Sequence, residues 1–229
     1  PTLYQLYGPD MTALMWVYTP NGNPDLKPET SLGFDVGVTQ SLFDGRNVTN
    51  ATFFYNHYSD LIVFSYTNPA LWEGGQFRNV DSAVTKGVEL SNATRLFTGE
   101  CGWFNRADFT VNYTYLDSRG YGDSDPLAYN KILARRPNHM LGMDLNFKLL
   151  NERLNLNTEL IYYGSCWSDA QNTRPIDGAW LWNMGASMQA TDHLRVYGKL
   201  NNLLRQNYCR ADGYQSDGFG GFAGVEISF

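Results

Sequence analysis

The chain has 229 residues, enough for one large all-β unit or two small domains, with 15% aromatic but only 17% charged residues, 22 Gly and 15 Tyr. Soluble domains carry about 25% charged residues, so part of this surface faces something other than water. A net charge of −6 without a Lys/Arg cluster excludes a nucleic-acid groove, and no run nears the roughly 20 apolar residues of a spanning helix.

The chain opens at Pro1 without a signal peptide, inside what reads as a loop, and is expected to be a fragment or processed product. From Ser31 it alternates. Leu32, Phe34, Val36, Val38 and Leu42 share one face, and Ser31, Gly33, Asp35, Gly37, Thr39 and Ser41 share the other. A period of two means a strand with one apolar and one polar side. The pattern recurs and predicts strands near 31–42, 47–58, 80–98, 103–117, 138–150, 153–164, 179–190, 193–203 and 219–229. Connections alternate as well: 43–46, 98–102, 150–153 and 190–193 are short, whereas 59–79, 118–137, 165–178 and 204–218 are long and rich in Gly, Asp, Asn, Tyr and Pro. Tight turns at one rim and long loops at the other are the rhythm of an outer-membrane barrel, whose short turns are periplasmic.

A soluble sandwich or lipocalin-like barrel shares the alternation. Three features favour the membrane. The strands exceed the usual 5–6 residues. Charges sit mid-strand opposite the apolar side. Aromatics gather toward strand ends at Tyr113, Tyr115, Tyr162, Trp180 and Trp182, where girdles meet headgroups. The expected fold is all-β, a transmembrane antiparallel β-barrel. Nine strands is odd and an open edge in lipid is costly, so further strands are expected before Pro1.

Little points to chemistry. The strand map sends His193 to the periplasmic rim and His57 and His139 to the outer one, so the three cannot cluster, and no Ser pairs with a His for catalysis. A soft copper site at His139, Met140 and Met143 and a calcium site at Asp123 and Asp125 are set aside. No enzyme, metal or cofactor is expected. Cys101, Cys166 and Cys209 lack a C-x-x-C spacing. They read either as free thiols or as a Cys166–Cys209 disulfide between neighbouring outer loops, with Cys101 left alone.

Several landmarks carry a family resemblance. Pro1-Thr-Leu-Tyr-Gln-Leu-Tyr7 precedes Gly22-Asn-Pro-Asp-Leu-Lys-Pro-Glu-Thr30. Tyr58-Ser-Asp-Leu-Ile62, Asn79 with Lys86-Gly-Val-Glu-Leu90, Arg136-Pro-Asn-His139, Lys199-Leu-Asn-Asn-Leu-Leu204 with Tyr208, and a terminal Phe229 follow. In this order they resemble TonB-dependent receptors, nearest the branch of cobalamin and catecholate-siderophore receptors. The resemblance implies a 22-stranded plugged barrel, of which this chain holds the last nine strands. Residues 1–30 would be an extracellular loop and strand remnant, and 31–229 the C-terminal part of the barrel. Pro24, Pro28, Glu29 and Gly87 are expected to shape backbone rather than touch ligand, and Phe229 to serve barrel assembly.

The implied activity is TonB-dependent uptake of a scarce metal chelate, cobalamin first and a ferric siderophore second. Haem receptors of the family place a His between the Pro-Thr and Asn-Pro-Asp-Leu landmarks, and residues 3–22 contain none. A haem receptor, or a passive porin or structural barrel, is the alternative. Partners would be the chelate, TonB through a plug region absent from this chain, and outer-membrane lipid with lipopolysaccharide. Candidate ligand contacts are Trp72, Phe77, Arg78, Tyr121, Asp123, Tyr129, Trp167, Asp169, Tyr214 and Asp217, because aromatics offer flat area with a polar tip and a few charges fix orientation. The polar strand faces, with Asp35, Glu89, Arg106, Asp108, Asp144, Lys148, Glu159 and Lys199, would hold a plug through hydrogen bonds and water.

Overall fold

The period-two segments form strands, and their registers put every apolar row on one side of a single antiparallel sheet. The computed structural model describes residues 1–8, 21–65, 75–99, 102–122 and 127–229. In chain order the elements are α1 (Leu3–Tyr7), β1 (Thr30–Leu42), β2 (Asn47–Ser65), β3 (Gln76–Thr98), β4 (Phe104–Tyr121), β5 (Lys131–Ile132), β6 (His139–Leu149), β7 (Leu154–Tyr163), β8 (Cys166–Trp167), β9 (Pro175–Ile176), β10 (Ala179–Thr191), β11 (Leu194–Asn201), β12 (Cys209–Ala211), β13 (Tyr214–Gln215) and β14 (Gly220–Ile227). The main sheet runs β1-β2-β3-β4-β6-β7-β10-β11-β14, with β5 paired to β4. The small hairpins β8–β9 and β12–β13 rise from the long connections.

Along the apolar side, Val36 faces Phe53, Phe53 faces Val88, and Val88 faces Tyr115. Val111 then faces Met143, Met143 faces Leu160, and Leu160 faces Trp182. Met188 faces Val196, which faces Val225. The other side carries Asp35, Glu89, Asp108, Asp144, Glu159 and Lys199, with Asp144 opposite Glu159 and Glu159 opposite Asn183. Asn183 donates to the Glu159 carboxylate at 2.9 Å, and Asn50 links Thr39 to Ser91 across three strands.

The apolar rows do not converge on a dry core. Leu32 is 77% exposed, Val36 67% and Ile227 60%. Among the described residues the buried apolar side chains are only Leu26, Ala83, Ala107, Cys166, Ile176, Ala179 and Leu181. A water-soluble sheet of this size would bury its greasy face against a second layer. Here that face has no second protein layer among the described residues, the pattern expected of a wall that faces a bilayer. The apolar band ends in polar groups at both rims. Asn47, Thr49, Asn92 and Thr94 hydrogen-bond near the short turns, and Lys86, Asp117 and Arg119 pair near the long loops. Just inside that second boundary, Tyr113 and Tyr115 lean on His139, and Tyr162 on Trp180, as an aromatic girdle.

Three differences from the sequence reading stand out. β2 has 19 residues and β3 has 23, although about 9–11 cross a bilayer; their outer ends were expected as loop. Beyond the lipid both faces are wet, so the ladder continues while the apolar alternation stops. The described residues before Thr30 include a short helix, α1, that was not expected. Thr2 caps it by accepting from the Gln5 N–H at 3.3 Å, while the Gln5 side chain accepts from the Thr2 N–H at 2.7 Å. Finally, the 119–120 stretch pairs with β5 inside a connection expected to be irregular.

Candidate functional site

The long-loop rim is built from hydrogen bonds that join segments distant in sequence. At the β2–β3 end, the Asn23–Glu29 stretch lies beside the free upper edge of β3. The Asn23 side chain donates to the Phe77 carbonyl at 3.0 Å. Asn79 accepts from the Lys27 N–H at 2.9 Å and donates to the Lys27 carbonyl at 3.0 Å and the Asp60 carbonyl at 2.5 Å. Asp60 has φ +57, and the Ile62 N–H next to this break donates to the Glu29 carboxylate at 2.7 Å. Asn23, Glu29, Asp60 and Asn79 are thus backbone staples. Gly87 is of the same kind: a Cβ there would collide with the Tyr115 carbonyl oxygen and the Phe54 ring.

The other long connections are sewn together too. The Asn172 amide accepts from the Ile132 N–H at 2.9 Å and donates to the Ile132 carbonyl at 2.8 Å. The Arg135 N–H donates to the Trp167 carbonyl at 2.6 Å. Arg174 pairs with Asp212 at 3.0 Å, and the Asp212 N–H donates to the Ser168 hydroxyl at 3.4 Å. Buried Asn202, at φ +53, knots the following loop by accepting from the Gln206 N–H and donating to the Gln206 carbonyl, both at 2.9 Å. The Asn138 side chain holds the Leu116 carbonyl at 2.8 Å.

Between these hairpins, on the polar side of the sheet, lies a cavity of 300 Å³ lined by Arg135, Met140, Tyr163, Cys166, Asp177, Tyr208, Cys209 and Arg210, among others. A second cavity of 480 Å³ adjoins it, sharing Ile176, Asp177, Tyr208 and Cys209 and adding Tyr214 and Gln215. The Arg210 guanidinium stacks over the Tyr163 ring at 4.4 Å. Two guanidiniums against one carboxylate give the first cavity a positive bias, and its phenols supply flat, hydrogen-bonding walls. Such a lining can grip carboxylate, phosphate or catecholate groups at the edge of a larger ligand.

The expected contact residues divide accordingly. Trp72 and Asp123 lie outside the described residues, as does Cys101. Tyr214 lines the second cavity, and Trp167 adjoins the first through its bond to Arg135. Tyr121 and Tyr129 meet edge-to-face at 5.8 Å at the end of β4. Phe77 and Arg78 sit on the outer part of β3, where Phe77 packs on Tyr4 and Phe64 at 6.0 and 5.1 Å. Asp217 is exposed.

Asp169 has an internal task. Burial alone would raise its pKa, but the Thr173 and Arg174 N–H groups and the Thr173 hydroxyl donate to its carboxylate. With the Arg174 charge added, these hold it below the usual carboxylate range. Sequence reasoning did not single out the cavity-lining Arg135, Tyr163, Asp177, Tyr208 or Arg210; adjacency to the Arg136-Pro137 landmark and to Cys209 was the available signal for Arg135, Tyr208 and Arg210. His139 and Met143 lie on the lipid side and Met140 on the polar side, with His139 Nδ1 hydrogen-bonded to the Tyr113 hydroxyl at 2.8 Å. The three do not share a face.

Apolar rows open to lipid, a polar inner face, tight turns at one rim and interlocked hairpins at the other define the wall of an outer-membrane β-barrel receptor. The chain belongs to the TonB dependent receptor-like β-barrel family, whose description matches residues 1–203. It is 29% identical over 219 residues to the vitamin B12 transporter of Photobacterium profundum, covering 93% of this chain and 31% of that protein. Its fold superposes on the copper transporter OprC with a TM-score of 0.73 at 16% identity, covering all of this chain and 35% of the other. It also superposes on the ferripyoverdine receptor of Pseudomonas aeruginosa with a TM-score of 0.65 at 20% identity, over 89% of this chain and 28% of the other. The chain therefore spans about a third of the length of these relatives. As a member of this family it is an outer-membrane protein.

Proposed function

We propose that this chain is the C-terminal barrel segment of a receptor that takes up a metal-chelate nutrient across the outer membrane, driven through TonB, with cobalamin as the first candidate cargo. The likeness to the vitamin B12 transporter across 93% of the chain carries this reading. The free edges of β1 and β14 support its architectural part: in lipid each unpaired N–H and C=O costs several kcal/mol, so further strands cover them in a larger plugged barrel. The inner polar rows would then face the plug, and the cavity framed by Arg135, Tyr163 and Arg210 would face incoming cargo.

The test is binding of radiolabelled cyanocobalamin to the full-length receptor in outer-membrane vesicles, followed by uptake in cells with and without TonB. Saturable nanomolar binding and TonB-dependent accumulation are expected. Tight binding of ferric siderophores without cobalamin binding would move the cargo to the second candidate, which the positive bias of the cavity favours. Micromolar or weaker binding of every chelate would favour a passive barrel.

A further inference from the structure

Cys166 opens the β8–β9 hairpin opposite Ile176, and Cys209 opens the β12–β13 hairpin opposite Gln215. The hairpins belong to different long connections, yet two contacts beside the thiols hold the two stretches together. Arg210, next to Cys209, lies over Tyr163 at 4.4 Å. Asp212 meets Ser168 through its N–H at 3.4 Å and Arg174 through its carboxylate at 3.0 Å. The stretch carrying one thiol is therefore pinned against the stretch carrying the other. Both thiols are unbonded here and line the same 300 Å³ cavity. Burial, and then the nearby Cys209, raise the Cys166 thiol above its ordinary pKa. The remaining cysteine, Cys101, lies outside the described residues.

We propose that Cys166 and Cys209 are a disulfide-forming pair that locks the two outer hairpins across the cavity in the mature receptor. The oxidant is a protein disulfide of the periplasm, met before membrane insertion. The thiolate of Cys209, the more accessible of the two, attacks that S–S bond. This forms a mixed disulfide and expels one oxidant thiolate. The Cys166 thiolate then attacks the Cys209 sulfur, forming the Cys166–Cys209 bond and expelling the second thiolate. The receptor loses two protons and two electrons, and the oxidant leaves as a dithiol. The bond adds a covalent link to two hairpins joined by hydrogen bonds and by the exposed Arg174–Asp212 ion pair, which fixes the cavity aperture. Its consequence for cargo rests on the proposed function; the bond itself does not.

The full-length receptor is extracted from outer membranes, denatured in N-ethylmaleimide and mapped by mass spectrometry with and without reduction. The expected result is a Cys166–Cys209 linked peptide that takes up maleimide only after reduction. Maleimide on both cysteines without reduction, or a link from either to Cys101, overturns the proposal. A second readout is limited proteolysis within 164–178 and 202–219. Dithiothreitol is expected to speed cleavage about tenfold in the native receptor and to leave the C166S/C209S double variant, already fast, unchanged. Equal rates in all four samples would overturn the locking role. Both readouts omit cargo, so an error in its identity leaves them unaffected.

Discussion

Replacing Asn79 by Ala isolates the staple at the β2–β3 rim. The side chain makes three hydrogen bonds, one accepted from Lys27 at 2.9 Å and two donated, to Lys27 at 3.0 Å and Asp60 at 2.5 Å. A net value of about 0.5–1.5 kcal/mol each, discounted because the two Lys27 bonds are exposed, gives a loss of about 2 kcal/mol. At 1.4 kcal/mol per tenfold, that is about a 30-fold change in a local opening equilibrium. The loss is local because β2 and β3 stay paired from Asn47 to Ser65. Hydrogen exchange on the full-length receptor in lipid nanodiscs is the assay. Amides of the 21–29 stretch and of Ile62 should exchange about 30-fold faster, with the β6–β7 ladder unchanged. Asn79→Asp should fall between, keeping the bond accepted from Lys27 and losing both donated bonds. Unchanged exchange at 21–29, or acceleration spread evenly over all strands, would refute the staple.

Val36→Arg, at the middle of β1 on the apolar side, should destabilise the full-length barrel in vesicles by about 2–4 kcal/mol, whereas its neighbour Asp35→Asn should change denaturant stability little; equal effects would mean the faces are misassigned. Gly87→Val should cost about 2–3 kcal/mol through overpacking against Tyr115 and Phe54, read as loss of the heat-modifiable band on gels. Asp169 is held below its ordinary pKa, so its support for the β8–β9 hairpin is complete above the unfolded value of about 3.9 and is lost as pH falls through the lower folded value. Hairpin exchange protection should accordingly be flat from pH 7 to about 5 and weaken in stronger acid, and Asp169→Asn should remove that dependence.

The main strands were legible because a sheet with lipid on one side and water on the other imposes a period of two on the chain. The predicted 31–42, 138–150 and 179–190 segments differ by one residue or less at each end from β1, β6 and β10. The signal failed where the environment ceased to differ between faces, at the outer ends of β2 and β3, although pairing continues from Leu61 opposite Val80 to Ser65 opposite Gln76. It also missed α1, too short to show periodicity. The Asn-Pro-Asp-Leu-Lys-Pro-Glu landmark was recognisable, but its task became visible only through Asn79, about fifty residues further along the chain.

Of this protein, sequence alone determined where the alternating parts of the main strands run and which of their faces is greasy, because alternation is a local property enforced by the pleat and the bilayer. The tertiary structure alone decided which loop groups meet. Asp169 accepts the N–H groups of its own hairpin, while Arg135, Tyr163 and Arg210 converge on the cavity. Those encounters depend on long-range strand register and on polar hydrogen bonds without a repeating pattern, so no window of neighbouring residues contains them.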